Sequence, residues 1–378
     1  MYPDDFHVDI DYEPRINDMN YWKQYQIVHI HRNIGQSYEQ TPNIIRMLKS
    51  LGIVTIVDLD DYWMPGKEHP IHDIIRANKI NEKIVENLRH PDYVTTTTTI
   101  FADEIKKFNK NVEIFPNAID PKESQFNELT LPSDKIRVGW LGGSSHLHDL
   151  MLLDGMVSKL NPIQDKLQFV VCGFDTRGTI TEINQQTGEQ KQRPIEPHET
   201  VWAKYESIFT NNYQIITPEY KTFLDKFKEE YYEGEEFGNY RRVWTKPVTS
   251  YASNYSKFDI SLAPIKNHIF NRVKSQLKVI EAGFYKKAII ASEVGPYTVD
   301  LKHALKDGKF TDGNALMVKD SRNHSDWASN IKKLVDNPNM IIDMGERLYE
   351  TVKDEYDLNN VTRKRAAWYK EIVNKKNK

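Results

Sequence analysis

The sequence predicts an α/β protein with parallel sheets that helices cover on both faces. Short, nearly continuous apolar segments rich in β-branched residues recur along the 378 residues, and amphipathic helical patterns lie between several of them. A chain of this length favours two or three domains over a single core. The predicted strands are 26–30, 53–57, 93–97, 112–115, 136–141, 167–172, 258–263, 288–291 and 315–318.

Helical periodicity supports the connections between these strands. Apolar side chains repeat at spacings of three and four residues, which brings them to one face of a helix. The two clearest cases are Ile44, Ile45, Leu48 and Leu51, and then Leu147, Leu150, Leu153, Val157 and Leu160.

Two domains are predicted, because a turn-rich segment at 116–121 and polar residues at 122–135 separate the strands into two groups. The expected division is an amino-terminal domain over 1–130, a carboxyl-terminal domain over 131–362, and a basic carboxyl-terminal helix or tail over 363–378.

The alternation of strands and helices breaks at residues 176–250, which we interpret as an α+β insertion in the second domain. Its expected elements are a strand at Tyr213–Thr217 and an acidic, aromatic helix at Tyr220–Glu236. The aromatic side chains of this segment suit stacking on sugar rings, but packing in a small subdomain or an oligomer contact is favoured. The start of the first domain offers a strand only at Phe6–Ile10.

Composition excludes several classes of protein. Hydrophobic residues make up 39% and charged residues 28%, which is ordinary for a soluble globular chain. No apolar segment approaches the roughly 20 residues of a membrane span, and the acidic start predicts no signal peptide. The lone Cys172 fits a reducing compartment, so we expect a cytoplasmic protein. A net charge of −3 does not favour nucleic acid as a partner.

The first candidate site is the loop Gly142-Gly143-Ser144, which follows the strand 136–141 and precedes a helix. Glycine lets the backbone approach an anion closely, and a helix start points free N–H groups at it. His146 could donate to a phosphate, with Asp149 orienting its ring. The loop matches neither the Walker nor the dinucleotide pattern, and an ordinary turn capped by Ser145 explains it equally well.

The second candidate is the segment Asn271–Gly283. A helix beginning near Lys274 would bring Lys274, Lys278 and Glu281 to one face. Two lysines near a helix start suit a diphosphate, and a carboxylate one turn further along can accept two hydrogen bonds from a ribose diol. The alternative is a solvated face with a salt bridge. Both candidate loops follow strands of one domain, so they would open at the same edge of its sheet.

Several segments together resemble the nucleotide-sugar half of a GT-B glycosyltransferase, most closely glycosyltransferase family four. These segments are Arg137–Gly143, Asn271–Glu281 and Ala288–Ser292 with Gly295-Pro296-Tyr297. Pro116-Asn117-Ala118-Ile119-Asp120 also resembles the hinge of that family, and the likeness spans about residues 25–175 and 250–370.

This resemblance implies two Rossmann-like domains that face each other across a cleft. It further implies a retaining, metal-independent transfer of a sugar from a nucleotide diphosphate sugar, with a UDP-sugar favoured, to an acceptor hydroxyl. The donor is a co-substrate, and no obligatory cofactor is implied.

The resemblance also assigns roles to residues. Glu281 matches the second Glu of the paired-Glu motif of the family and would hold the ribose. The first Glu falls at Val273, which cannot accept a hydrogen bond, and Asn271 is the expected substitute. The nucleotide-sugar site would then comprise Gly142, Gly143, Ser144, His146, Asn271, Lys274, Ser275, Lys278 and Glu281.

The third candidate is the segment Asp58-Leu59-Asp60-Asp61-Tyr62-Trp63 at the end of a strand of the first domain, in which Asp58 and Asp60 form an Asp-x-Asp pattern. An Asp-x-Asp pattern is the metal–diphosphate signature of the other glycosyltransferase architecture, but the two loops described above favour metal-free binding. Asp60 and Asp61 would instead bind acceptor hydroxyls or stabilise an oxocarbenium-like transition state, with His69 nearby. The alternative is an aspartate turn before Pro65. The expected catalytic residues are Asp60, Asp61, His69 and Lys274.

No metal site is expected, because the pairs His29 and His31, and His146 and His148, lack companions at ligand spacing. Three rival functions stay open: a phage-type glycosyltransferase acting on a DNA base, a sugar-nucleotide epimerase, and a non-catalytic nucleotide-sugar-binding protein, which Val273 favours. The acceptor stays open between a glycan, a lipid-linked hydroxyl and another hydroxyl, and so does the oligomeric state, a homo-oligomer included.

Overall fold

The computed structural model describes residues 5–175, 177–183, 190–218, 238–319 and 324–376. The chain forms two compact units. The first comprises Met1–Pro116, Val273–Ser275 and Thr362–Lys378, and the second comprises Asn117–Arg272 and Gln276–Val361. The division predicted at 130/131 thus lies inside the second unit, and the whole of the predicted tail, 363–378, belongs to the first.

The first unit is built on four parallel strands in the order β1-β2-β3-β4. These strands are β1 (Ile27–His31), β2 (Val54–Asp58), β3 (Tyr93–Thr96) and β4 (Val112–Ile114). The helices before and between them are Met19–Trp22, Thr41–Ser50, His72–Ala77, Ile80–Leu88 and Thr99–Ile105.

A carboxyl-terminal helix, Leu358–Lys376, returns to this first sheet. Trp368 meets the rings of Tyr93 and Phe115 edge-on, with centroids 5.5 and 5.4 Å away. Ile372 packs in one buried cluster with apolar residues of β2. The sequence did not assign this helix to either domain. These contacts show that it packs on the sheet of the first unit.

The second unit contains six parallel strands in the order β14-β11-β10-β5-β6-β9. Counted along the chain, this is the order 3-2-1-4-5-6 of a Rossmann fold, read from the opposite edge. Two antiparallel pairs, β7 with β8 and β12 with β13, form separate two-stranded sheets. In chain order, the strands of this unit are β5 (Ile136–Leu141), β6 (Leu167–Phe174), β7 (Thr179–Ile183), β8 (Gln190–Pro194), β9 (Tyr240–Trp244), β10 (Ile260–Ala263), β11 (Ala288–Ser292), β12 (Leu305–Lys306), β13 (Lys309–Phe310) and β14 (Leu316–Val318).

Helices lie between the strands of the six-stranded sheet, as its parallel pairing requires, and also after its last strand. They are Leu147–Leu150, Met156–Leu160, Val201–Thr210, Ile269–Val273, Leu277–Phe284, Tyr297–Asp300, Ser325–Asp336 and Asn339–Val352. The helix predicted across 147–160 is interrupted, because Gly155 adopts a left-handed conformation with φ of 87°. No described helix combines the length and the apolar character needed to cross a lipid bilayer.

The α/β prediction is confirmed: all nine predicted strands are present, and each end lies within two residues of its prediction. Two further strand predictions fail. Tyr213–Thr217 begins as a 3₁₀ helix, Tyr213–Ile216, capped by the side chain of Asn212. Phe6–Ile10 forms no strand, and Val8 and Ile10 are largely exposed. The helix predicted at Tyr220–Glu236 lies outside the described residues.

Residues 176–250 hold more of the main core than an insertion would. β9 is an edge strand of the six-stranded sheet, and the helix Val201–Thr210 packs Trp202, Tyr205 and Phe209 into its apolar cluster. β9 is absent from the predicted strands, because two adjacent arginines, Arg241 and Arg242, interrupt its apolar pattern.

Candidate functional site

The strand order of the second unit identifies one edge of its sheet as the place for a ligand. Strands β5 and β10 are neighbours, but the chain continues from them to opposite sides, to β6 and to β11. In open α/β sheets, ligands bind beyond the carboxyl ends of the strands at such a switch point. The loops that leave β5 and β10 here are those around Gly142 and around Lys266.

The glycine loop after β5 is packed on one side and open on the other. A Cβ atom on Gly142 would lie 2.5 Å from the Trp140 ring, so only glycine fits there without displacing the ring. A Cβ atom on Gly143 would meet nothing within 4 Å, and both Gly143 and Ser144 are exposed. The backbone at Gly143 and Ser144 is therefore accessible to a ligand.

Asp149 joins the two loops of the switch point. Its carboxylate is buried, and Oδ1 accepts hydrogen bonds from the Lys266 backbone N–H at 2.8 Å and from Asn271 Nδ2 at 2.9 Å. Its Oδ2 lies 3.0 Å from His146 Nδ1. Burial alone would raise the pKa of Asp149, but the contacts with His146, His148 and Lys266 hold it below its usual value. An ionised Asp149 thus positions the imidazole of His146 beside the glycine loop.

Asn271 was expected to substitute for the first Glu of the family motif, but in the structure it is not exposed to a ligand. It is fully buried, and Nδ2 donates to the Lys266 carbonyl at 2.9 Å as well as to Asp149. Among the described residues, its Oδ1 has no hydrogen-bond partner. Asn271 in this structure positions the loop after β10, so a direct contact to a donor sugar would need its amide to be exposed.

The hydroxyl of Tyr205 forms hydrogen bonds with two points of the segment that follows β5. Its hydroxyl donates to the Gly143 carbonyl at 3.2 Å and accepts from the His146 N–H at 2.9 Å. Burial raises the pKa of this phenol well above its usual value. Tyr205 lies 62 residues from Gly143, and the aromatic residues of its segment were expected to pack in a small subdomain or an oligomer contact rather than to stack on a sugar ring. No local pattern in the sequence connects the two.

If the glycine loop holds the diphosphate of a UDP-sugar, as the resemblance implies, Tyr205→Phe is expected to weaken UDP binding about three- to tenfold. The variant loses one hydroxyl that joins two points of the loop, and a hydrogen bond contributes about 0.5–1.5 kcal/mol. Isothermal titration calorimetry with UDP measures the change. Tyr213→Phe is the matched control, since its largely exposed hydroxyl contacts Asp154 outside the loop. Equal affinities of the Tyr205 variant and the wild type would contradict the expectation.

The helix expected to start near Lys274 starts instead at Leu277. The chain bends at Lys274, after the short helix Ile269–Val273 ends. Val273–Ser275 belong to the first unit, where the Val273 carbonyl accepts from Thr98 Oγ1 at 3.3 Å. The prediction that Lys274, Lys278 and Glu281 share a helical face is therefore wrong for Lys274, whereas the other two share the helix.

Lys278 places a positive charge next to the glycine loop. Its ammonium donates to the carbonyl of Leu141, the residue before Gly142, and lies 5.2 Å from the centroid of the Trp140 ring. A Cβ atom on Gly142 would lie 3.2 Å from Lys278 Nζ. A cation and a helix start at this loop favour an anionic ligand.

Glu281 is buried, with an exposed fraction of 3%. It accepts hydrogen bonds from the hydroxyls of Tyr251 and Tyr255, the latter at 3.0 Å. Burial raises the pKa of this carboxyl group. The alternative of a solvated face is thus wrong for Glu281, because this residue is buried and hydrogen-bonded to the two tyrosines.

In the first unit, Asp60 and Asp61 share one partner. Arg32 Nη2 donates to Asp60 Oδ1 at 2.8 Å and to Asp61 Oδ2 at 3.1 Å. Arg32 adopts a left-handed conformation with φ of 60° at the end of β1. His69 lies in the turn before the helix His72–Ala77, where Nδ1 accepts from the Ile71 N–H at 3.3 Å. The two carboxylates are therefore half-exposed acceptors beside a cation.

Three polar residues at the carboxyl edge of the first sheet are absent from the predicted catalytic residues. His31 and Asp58 lie opposite each other in the register of β1 and β2, with His31 Nδ1 3.5 Å from Asp58 Oδ2. Thr95 Oγ1 donates to Asp58 Oδ1 at 2.5 Å. The contact with Asp58 raises the pKa of His31, whose side chain is 60% exposed. A polar residue ending each of two apolar strands was the available signal.

In the described part of the chain, no group of three or more His, Cys, Asp or Glu side chains is arranged to hold a metal ion.

No family model and no curated protein matches this sequence. Solved structures do. The sucrose-phosphate synthase of Thermosynechococcus elongatus is 13% identical, with a TM-score of 0.58 over 97% of this chain and 80% of that one. Anabaena HepE in complex with UDP and glucose is 10% identical, with a TM-score of 0.56 over 92% and 78%. A UDP-forming α,α-trehalose-phosphate synthase of Burkholderia xenovorans is 11% identical, with a TM-score of 0.53 over 92% and 73%.

These neighbours are GT-B glycosyltransferases, and the two Rossmann-like units of this chain have the GT-B fold. At such low identity the likeness concerns the fold alone.

Proposed function

We propose that the protein is a glycosyltransferase that moves a hexosyl group from a UDP-sugar to an acceptor hydroxyl. The observation that carries this proposal is the loop after β5 at the switch point, where the Lys278 ammonium lies beside Gly142 and the residues that follow, Gly143 and Ser144, are exposed. The named ligands of the neighbours support the uracil nucleotide, since HepE was solved with UDP and the trehalose-phosphate synthase is UDP-forming.

In this proposal, the residues around the glycine loop stabilise the leaving diphosphate. The bond between the anomeric carbon and the diphosphate oxygen breaks and its electrons remain on that oxygen. The oxygen of the acceptor hydroxyl forms the new bond to the anomeric carbon, and its proton passes to the leaving diphosphate. Preorganised donors and cations aimed at the developing charge supply most of such a rate enhancement. The residues assigned to the diphosphate are Gly142, Gly143, Ser144, His146, Lys274, Ser275 and Lys278.

Glu281 is assigned to the ribose diol, because a carboxylate accepts two hydrogen bonds from adjacent hydroxyls. Asp60 and Asp61 are assigned to acceptor hydroxyls by the same chemistry, with His69 beside them. Retention at the anomeric carbon, independence from metals and a cytoplasmic location are further parts of the proposal, and they rest on the resemblance to family four and on the single cysteine.

The test is calorimetric binding of UDP, GDP, TDP, ADP and CMP to the wild type and to Glu281→Gln. We expect selective binding of UDP, weakened at least about tenfold in the variant, because a neutral amide replaces a charge-assisted hydrogen bond. Glu293→Gln, the same change at an exposed position, should bind like the wild type. Absence of binding by every nucleotide would remove the enzyme proposal. With UDP-glucose and an acceptor in hand, the anomeric configuration of the product by NMR tests retention.

A further inference from the structure

The carboxylate of Glu281 is held by two tyrosines of one 3₁₀ helix, Tyr251–Lys257, and the two are not equivalent. Tyr255 is 1% exposed and fixed by neighbouring rings: its ring stacks on Tyr285 with centroids 5.8 Å apart and contacts Phe258 at 5.2 Å. Its hydroxyl cannot leave Glu281 without opening the core.

Tyr251 is the movable partner. It is half-buried and is the first residue of the 3₁₀ helix, directly after the exposed turn at 248–250. The side chain of Val248 in this turn is 78% exposed, and the Tyr251 ring packs at the partly buried margin of the apolar cluster that encloses Tyr255, so Tyr251 is the less restrained of the two tyrosines. A rotation of Tyr251 outward would transfer its hydroxyl to water.

The burial of Glu281 requires such a movement before any ligand can reach it. With 3% of the residue exposed, a ligand hydroxyl can contact the carboxylate only after a covering side chain has moved. A buried carboxylate also cannot lose a hydrogen bond without a replacement, since an unsatisfied charged group costs several kcal/mol. The incoming ligand must therefore supply the hydroxyl that replaces the one it displaces.

We propose that Tyr251 is a specificity-determining residue of the nucleotide site: it occupies Glu281 Oε1 until a ribose diol replaces its hydroxyl. The inference rests on the proposed function, in which Glu281 binds the ribose. A nucleotide with a vicinal diol offsets the displaced tyrosine bond with bonds of its own. A nucleotide without the diol leaves Tyr251 in place and gains nothing from Glu281. The exchange selects for ribonucleotides.

The experiment compares UDP with 2′,3′-dideoxy-UDP by calorimetry on the wild type, Tyr251→Phe, Tyr255→Phe and Glu281→Gln. Tyr251→Phe should bind UDP about three- to tenfold more tightly, because no hydrogen bond has to be displaced, and should bind dideoxy-UDP as the wild type does. Tyr255→Phe is the matched control: it removes the same hydroxyl from the other oxygen and should show no gain for UDP. Thermal unfolding of each variant reports whether the fold is intact.

The outcomes distinguish a failure of the role proposed for Tyr251 from a failure of the proposed function. If UDP binds the wild type in preference to dideoxy-UDP and Glu281→Gln loses that preference, but Tyr251→Phe binds UDP no more tightly, the role of Tyr251 is overturned and the proposed function stands. Equal gains for both ligands in Tyr251→Phe also overturn it. If the wild type binds neither ligand, the proposed function fails and this inference fails with it.

Discussion

Lys278→Met is expected to lower the turnover number for sugar transfer by about 100-fold or more. The ammonium of Lys278 lies beside Gly142 at the end of β5, where the leaving diphosphate is proposed to sit. Loss of one preorganised group that stabilises developing charge typically costs 10²–10³ in turnover. Methionine keeps most of the side-chain volume against Trp140, so the packing changes little.

Steady-state kinetics with UDP-glucose and calorimetry with UDP measure the two parts of this effect. Lys306→Met, at the exposed position of strand β12, is the control for a general effect of losing one positive charge. Lys274→Met, measured in parallel, tests the other lysine assigned to the diphosphate and is expected to lower turnover as well. Full activity of the Lys278 variant, with an unchanged melting temperature, would refute the assignment of the glycine loop.

Glu206→Gln is expected to destabilise the second unit by about 3–5 kcal/mol. Glu206 and Arg242 form an ion pair in which both side chains are almost fully buried, and Arg242 donates to both carboxylate oxygens. Arg242 also lies over the Phe174 ring, 4.2 Å from its centroid. Removal of one partner leaves the other charge buried without compensation, which costs more than the pair itself contributes.

Urea unfolding followed by tryptophan fluorescence measures this loss, since Trp140 and Trp202 lie in the same apolar cluster as the helix that carries Glu206. The double variant Glu206→Leu with Arg242→Met should recover most of the stability, because two apolar groups replace two charges. A single variant that loses less than about 1 kcal/mol would show that the pair is not desolvated as the structure describes.

The predictable part of the fold consists of elements whose signal lies within a few residues. Strand β11 reads Ala-Ile-Ile-Ala-Ser and is buried at all five positions, as expected for a strand inside a parallel sheet. Strand β9 was missed for the opposite reason. Arg242 makes the strand look polar, and its partner Glu206 lies 36 residues away, so nothing near β9 shows that the charge is buried.

The start of the helix Leu277–Phe284 could not be predicted from the local sequence pattern. Its apolar spacing is compatible with a start at Lys274, but the chain leaves the helical path between Val273 and Leu277. The Val273 carbonyl accepts a hydrogen bond from Thr98, 175 residues earlier in the chain. A partner at that distance cannot be identified from periodicity, and it changes which charged side chains share a face.

The sequence by itself determined the parallel α/β class, the four strands of the first sheet, all strands of the second sheet except β9, and the places where a glycine loop and a charged helix follow strands. Such features depend on neighbours a few residues apart, through side-chain periodicity and turn preference. Only the tertiary structure decided which polar groups are open and which are occupied. Asp60 and Asp61 share Arg32, Asp149 joins two loops, and Glu281 is covered by Tyr251 and Tyr255. Burial and hydrogen bonding depend on residues far apart in the chain, and these contacts form only when the sheets and helices pack.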